Sequence, residues 1–190
     1  VSINKLDGRV KSYPVNASGG MSFNDKVLSA DNLRLNVGAN AIRLNGVVDE
    51  KTGLAWQLDG QKLVQLHPAL DGQLKGRGNV RGKLDGSLVT MNIASLQGRV
   101  RGFPVNAVGT VQLRDKKLLS VNNLRATVGQ NQLRLDGQLD ETKGINWQLD
   151  AKNLAQVSPQ LKGSLRGNGN IRGVLDGSQF TAHVNVLEGR

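Results

Sequence analysis

Asn32-Leu33-Arg34-Leu35-Asn36-Val37 runs into Ile42-Arg43-Leu44-Asn45-Gly46, then Leu54-Ala55-Trp56-Gln57-Leu58-Asp59. Large apolar residues recur at every second position in each run, alternating with polar residues or, at position 55, with the small Ala55. A period of two marks a strand with one buried face and one wet face. The same pattern holds in Val89, Met91 and Ile93, which alternate with Thr90 and Asn92. Leu133/Leu135, Ile145/Trp147/Leu149 and Phe180/Ala182/Val184 follow it further along. Helical spacing is nearly absent. Its one candidate is Asn153-Leu154-Ala155-Gln156-Val157-Ser158-Pro159, with Lys62-Leu63-Val64-Gln65-Leu66-His67-Pro68 as its partner. A helical turn or two there would end before the proline.

The chain repeats itself. Leu6-Asp7-Gly8-Arg9-Val10 returns as Leu96-Gln97-Gly98-Arg99-Val100, an offset of 90. From Leu28 onward the offset is 91, so Trp56-Gln57-Leu58-Asp59 matches Trp147-Gln148-Leu149-Asp150. Gly82–Ser87 likewise matches residues 173–178. The extra residue falls between Asn24-Asp25-Lys26 and Arg114-Asp115-Lys116-Lys117. Both segments are polar and read as hairpin turns, where insertions are tolerated. The repeats run over about 6–95 and 96–186, with residues 187–190 opening a third. The whole reads as one continuous β-structure and, starting at Val1 without an initiator Met or signal peptide, as an excerpt of a longer protein.

Residues 70–86 place Leu70, Gly72, Leu74, Gly76, Gly78, Val80, Gly82, Leu84 and Gly86 on one parity and only polar residues on the other. Residues 161–177 do the same with Leu161, Gly163, Leu165, Gly167, Gly169, Ile171, Gly173, Leu175 and Gly177, Val174 being the one apolar residue on the other parity. Seventeen residues would make a strand of roughly 55 Å, so the stretch must turn or bulge at its glycines. Two roles are open for these glycines: bending strands, or leaving side chains out of the apolar face so that a groove stays open.

At this spacing each copy holds seven or eight strands, and two copies about fifteen. The apolar face of every strand must be covered by something. A sandwich, a barrel, a β-solenoid or one long sheet curled along its length would satisfy that. A repeat array favours an elongated form. A curled antiparallel or mixed sheet with an apolar lining fits the pattern most economically; a β-solenoid or β-sandwich is the alternative.

Composition removes several classes. The chain of 190 residues has no Cys, so it has neither disulfides nor thiolate chemistry. No apolar run approaches the ~18 residues of a transmembrane helix. Gly numbers 24, without the collagen period, and hydrophobic residues at 38% are too many for a disordered chain.

No catalytic constellation emerges, and the expectation is that the chain is not an enzyme and needs no cofactor or metal. His67 and His183 face Ser158 and Asn92 in the repeat alignment and read as loop or surface residues. Gly76-Arg77-Gly78-Asn79-Val80-Arg81-Gly82 misses a nucleotide loop by one residue, and no helix follows it. Asn16-Ala17-Ser18 is a formal glycosylation sequon, without a counterpart at Asn106-Ala107-Val108. Asp49-Glu50 and Asp140-Glu141 recur in polar turns, not as an acid/base pair. The formal net charge of +10 raises nucleic acid as a partner. Yet Arg34, Arg43, Arg81, Arg125, Arg134 and Arg172 face outward along the chain and lack aromatic platforms for bases. A solvated face is the plain reading, and weak attraction to anionic headgroups is the functional one. Trp56 and Trp147 lie on the apolar parity, as core or as lining.

The Asn32-Leu33-Arg34-Leu35, Ile42–Gly46 and Trp56–Asp59 strands, the Asn153–Pro159 segment and Gly169-Asn170-Ile171-Arg172-Gly173 resemble the TamB family, the translocation and assembly module proteins, which belong with the AsmA-like, repeating β-groove proteins. The resemblance covers essentially the whole chain. It implies a taco-like curled sheet with a hydrophobic inner groove. It also implies a parent anchored in the bacterial inner membrane and crossing the periplasm toward an outer-membrane barrel partner, TamA, contacted by a region outside this segment. On this reading the groove shields phospholipid acyl chains between the membranes. The alternatives are a chaperone-like groove or sheet edge for unfolded outer-membrane proteins, and a passive β-stalk whose apolar face is a closed core. The expected lining is Leu33, Leu35, Val37, Ile42, Leu44, Leu54, Trp56, Leu58, Val89, Met91 and Ile93 in the first copy. In the second it is Leu124, Val128, Leu133, Leu135, Ile145, Trp147, Leu149, Phe180 and Val184.

Overall fold

The computed structural model describes residues 2–10, 12–24, 27–174 and 179–190, with side chains from Leu6 onward. The strands are β1 (Ser2–Val10), β2 (Tyr13–Asn24), β3 (Val27–Val37), β4 (Asn40–Val48), β5 (Gly53–Gly60), β6 (Gly72–Gly82) and β7 (Val89–Val100). They continue as β8 (Phe103–Arg114), β9 (Lys117–Val128), β10 (Asn131–Gln138), β11 (Gly144–Ala151), β12 (Leu165–Gly173) and β13 (Phe180–Gly189). All thirteen form one sheet in chain order, each antiparallel to the next. This is a meander, neither a sandwich nor a solenoid. A 3₁₀ turn follows β5 (Leu63–Gln65), and a second follows β11 (Leu154–Gln156). These fall in the two segments expected to be helical, shortened to a single turn.

The surface area shows how open this sheet is. A compact protein of 20.4 kDa exposes about 8,800 Å²; this one exposes 12128 Å². Among the described residues no large side chain is fully buried. Side chains pack with their neighbours along one face, and no second layer of strands covers them.

Thirteen strands replace the fifteen expected, because strands continue where the alternation changes phase. In β3, Leu28 and Ala30 share a face with Leu33, Leu35 and Val37, although their parity differs. The switch is a bulge at Asp31-Asn32, with Asn32 in the left-handed region at φ 48°. Asn123 repeats it in β9, also at 48°. In β7 the extra residue is Ala94, and in β13 it is Asn185. Each bulge adds one unpaired residue, which from sequence alone reads as the end of one strand and the start of another.

The insertion between copies is placed differently from expectation. Asp115 and Lys116, at φ 51° and 65°, form a two-residue hairpin turn closed by the Arg114–Lys117 pair. Asn24 pairs with Val27, again with two residues between them; Asp25 and Lys26 themselves lie outside the described residues. Both loops therefore have the same length. The extra residue enters β9, where pairing steps from Gln112–Ser120 to Leu113–Leu118 and leaves Leu119 as a bulge. In residues 70–86 the strand is confined to Gly72–Gly82, with both end glycines at positive φ (141° and 134°). Of the corresponding run in the second copy, residues 175–178 lie outside the described residues.

Candidate functional site: an uncovered apolar face

Cross-strand partners lie on the same face of a sheet, so the register can be read as rows running across the strands. One row is Leu6, Ala17, Leu35, Ile42, Leu58, Gly76, Leu96, Ala107, Ala126, Leu133, Leu149, Gly167 and Leu187, one position from each of the thirteen strands. None is polar. Twelve steps at ~4.8 Å carry this row over about 58 Å. A second row is Met21, Ala30, Gly46, Leu54, Val80, Met91, Val111, Val121, Gly137, Ile145, Ile171 and Ala182, again without a polar residue. Between them run Leu33, Leu44, Trp56, Gly78, Ile93 and Gly109 in the first copy. Leu124, Leu135, Trp147, Gly169 and Val184 continue in the second.

All twenty residues expected to line a groove stand on this one face. Val37 and Val128 lie in a further row beside Asn40 and Asn131. Val89 faces Gly82 and Leu113, and Phe180 faces Gly173. Most of the twenty are partly exposed: Leu35 keeps 37% of its surface, Met91 43% and Val184 47%. Leu54 and Ile145 are buried, each packed between a glycine and a larger side chain of adjacent strands.

The tryptophans account for four of the glycines. A Cβ on Gly76 would stand 3.1 Å from Trp56 Cζ3, and one on Gly78 2.6 Å from Trp56 Cζ2. In the second copy, a Cβ on Gly167 would stand 3.2 Å from Trp147 Cη2, and one on Gly169 2.8 Å from Trp147 Nε1. Each indole therefore lies against two glycines of the next strand. At these positions the missing side chains make room for a ring, and neither an open trough nor a bend results. The bending role belongs to others, such as Gly72 and Gly82.

One margin of the face is held by polar side chains. Asn40 occupies an apolar-row position, yet it is buried and fully engaged. Its Nδ2 donates to the Val37 and Lys62 carbonyls (3.1 and 3.0 Å) and to Gln65 Oε1 (3.2 Å), and its Oδ1 accepts from the Lys62 N–H (3.0 Å). Gln65 Oε1 also accepts from the Ala39 N–H (2.7 Å). Asn131 and Gln156 repeat this in the second copy with Val128, Asn153 and Gln130. Each 3₁₀ turn is thereby fastened over the end of the strands, with Leu63 buried against Gly60. Arg101, in the turn before β8, donates to the Gln156 and Val157 carbonyls and ties the second turn to a hairpin three strands away. This fastening was missed from sequence. Its trace was there: a polar residue at the same apolar-row position of both copies, each followed 25 residues later by Gln.

Two of the shallow depressions on the polar face lie at corresponding places in the two copies. One, of about 770 Å³, is lined by Arg34, Arg43 and Arg77 with Asn and Gln side chains, and its floor is apolar, with Leu44, Ala55, Trp56 and Ala94 contributing to it. The other, of about 500 Å³, lies at the corresponding place around Arg125 and Arg134. His67 and His183 are both exposed, and His67 Nδ1 accepts from the Ala69 N–H at 3.2 Å. Asp49 closes its turn by accepting from the N–H groups of Gly53, Thr52 and Lys51, which hold its carboxyl below the ordinary value. Asp140 is held low in the same way by Lys143, Gly144 and Thr142. Among the described residues no group of three or more metal-ligating side chains occurs, and no helix is long and apolar enough to cross a membrane.

Fold and face together define a class: a repeat-built antiparallel meander, six strands and one 3₁₀ turn per repeat, with one polar side and one uncovered apolar side. The family model described as "TamB, N-terminal domain" matches twice, over residues 1–95 and 88–188, and the chain belongs to the TamB family. The translocation and assembly module subunit TamB of Haemophilus influenzae is 28% identical over 192 residues, covering 89% of this chain. The chain spans 15% of that relative's length. No solved structure matches it.

Proposed function

We propose that this chain is a conduit segment of a translocation and assembly module in the bacterial envelope, whose apolar face shields the acyl chains of phospholipids crossing the periplasm. The observation that carries this reading is the row of thirteen apolar positions, one per strand, that no second layer covers. Each methylene taken out of water contributes ~0.8 kcal/mol, so a chain laid along the row is held. The row offers no polar stop within it, so the chain can slide. The parent protein would be anchored in the inner membrane and meet its outer-membrane partner through a region beyond this segment. A stalk with a closed core would need a covering layer, and half-exposed Leu35, Ile42 and Met91 argue against one.

The test is native mass spectrometry of the chain purified from bacterial envelopes. Phospholipid adducts are expected on the parent and not on Leu58→Asp or Leu149→Asp, with the β-sheet circular dichroism unchanged. A lipid-free parent, or folded variants that keep the lipid, would overturn the reading.

A further inference from the structure

The polar face holds an arrangement that solubility does not require. Arg34 of β3 stands directly opposite Arg43 of β4. Ninety-one residues on, Arg125 of β9 stands directly opposite Arg134 of β10. Like charges opposed across an antiparallel pair are destabilising, yet both repeats carry the same pair. Among the described residues no carboxylate lies within ion-pair distance of any of the four guanidiniums. Arg34 Nε donates to Asn36 Oδ1 at 3.2 Å, a neutral acceptor that leaves the charge uncompensated.

Both pairs line the depressions of this face. The first adds Arg77, Gln57 and Asn79 and has no carboxylate in its lining. The second adds Gln148, Asn168 and Asp136. Asp136 Oδ1 is taken up by the Asn123 N–H at 2.8 Å, the contact that closes the β9 bulge. Two arginines opposed in register and lining one depression, with amide side chains around them, supply the donors that a tetrahedral oxyanion accepts from guanidinium groups.

We propose that the two arginine pairs are phosphoryl-binding sites, one in each repeat. This face is opposite the apolar one, so the proposal does not depend on the conduit reading. The phosphoryl group could come from a phospholipid headgroup at a bilayer surface or from a free phosphate, and the test separates them. Inorganic phosphate is titrated into the chain while the arginine Nε resonances are followed. In parallel the chain is floated with phosphatidylglycerol vesicles at about 0.15 M salt, where the screening length is ~8 Å.

The variants are Arg34→Gln with Arg43→Gln, Arg125→Gln with Arg134→Gln, and the charge-preserving Arg34→Lys with Arg43→Lys. The control is Arg81→Gln with Arg172→Gln, whose arginines face Thr90 and Thr181. Each Gln pair lowers the formal charge from +10 to +8, two fewer cations of the 25. For a free phosphate, the parent takes up two per chain, either paired Gln variant one, and the control two. The Lys variant keeps the charge but loses the forks, and binds about tenfold more weakly at the altered site. For a headgroup, phosphate does not saturate, but vesicle binding falls about tenfold further in the paired variants than in the control. No saturable binding to either probe, or an equal loss in the control, overturns the proposal.

Discussion

Replacing Gly76 by Ala tests whether the glycines of β6 exist to seat a tryptophan. The backbone there is extended, so the intrinsic effect favours Ala by about 0.5–1 kcal/mol, because Gly in a strand loses more conformational freedom. The packing works against it. The new methyl would stand 2.6 Å from Leu96 Cδ1, 3.1 Å from Trp56 Cζ3 and 3.2 Å from the Ser95 carbonyl oxygen. Leu96 can rotate away, but the indole is pinned against Gly78 as well. Overpacking of this kind costs about 1–3 kcal/mol, so Gly76→Ala is expected to destabilise by about 0.5–2 kcal/mol. In a Trp56→Ala background the ring contact is gone, and the same change should be neutral or stabilising. The coupling energy of the cycle is then about 1–2 kcal/mol. Urea unfolding followed by circular dichroism measures it from the four midpoints. Equal destabilisation in both backgrounds would refute the seat.

Gly8 meets nothing within 4 Å of an added Cβ, so Gly8→Ala should raise stability by about 0.5–1 kcal/mol in the same urea assay. Asn131→Ala strips the donor from the Val128 and Asn153 carbonyls and the acceptor from the Asn153 N–H. A loss of about 2–4 kcal/mol is expected, with faster hydrogen exchange over residues 152–158 than elsewhere. Asp49 and Asp140 have folded-state pKa values below the ordinary one. Their contribution is therefore complete above the unfolded carboxylate pKa of about 3.9 and is lost as pH falls through the lower folded value. Asp49→Asn with Asp140→Asn should flatten the acid limb of the stability profile; an unchanged limb would show these turns contribute nothing.

The side on which each residue falls was legible in the sequence, because the two-residue period survives inside every strand. That is why Leu33 through Val184 all reach one face. The pairing was not legible. Bulges at Asp31-Asn32 and Asn122-Asn123 change the phase of the alternation, and only the partner strand shows that the strand continues. The same lack of register hid the tryptophan seats. Trp56, Gly76 and Gly78 share a parity, but nothing in the chain says that Trp56 faces Gly78 until β5 and β6 are aligned. The buried Asn40 and Asn131 broke an apolar pattern, and a polar residue in such a row looks like noise until its four hydrogen bonds are seen.

The chain-order meander governs how this protein can be made. Every strand pairs only with its sequence neighbours, so no strand waits for a distant segment to be synthesised. Closing such short connections is fast compared with assembling non-local sheets. A chain delivered in extended form can therefore zip up strand by strand behind the leading hairpin, the apolar side growing by one row position at each step. Force applied to its two ends reverses the sequence, peeling outer strands first. A long array of this design resists tension only as well as its weakest terminal hairpin, and it re-forms from whatever hairpins remain.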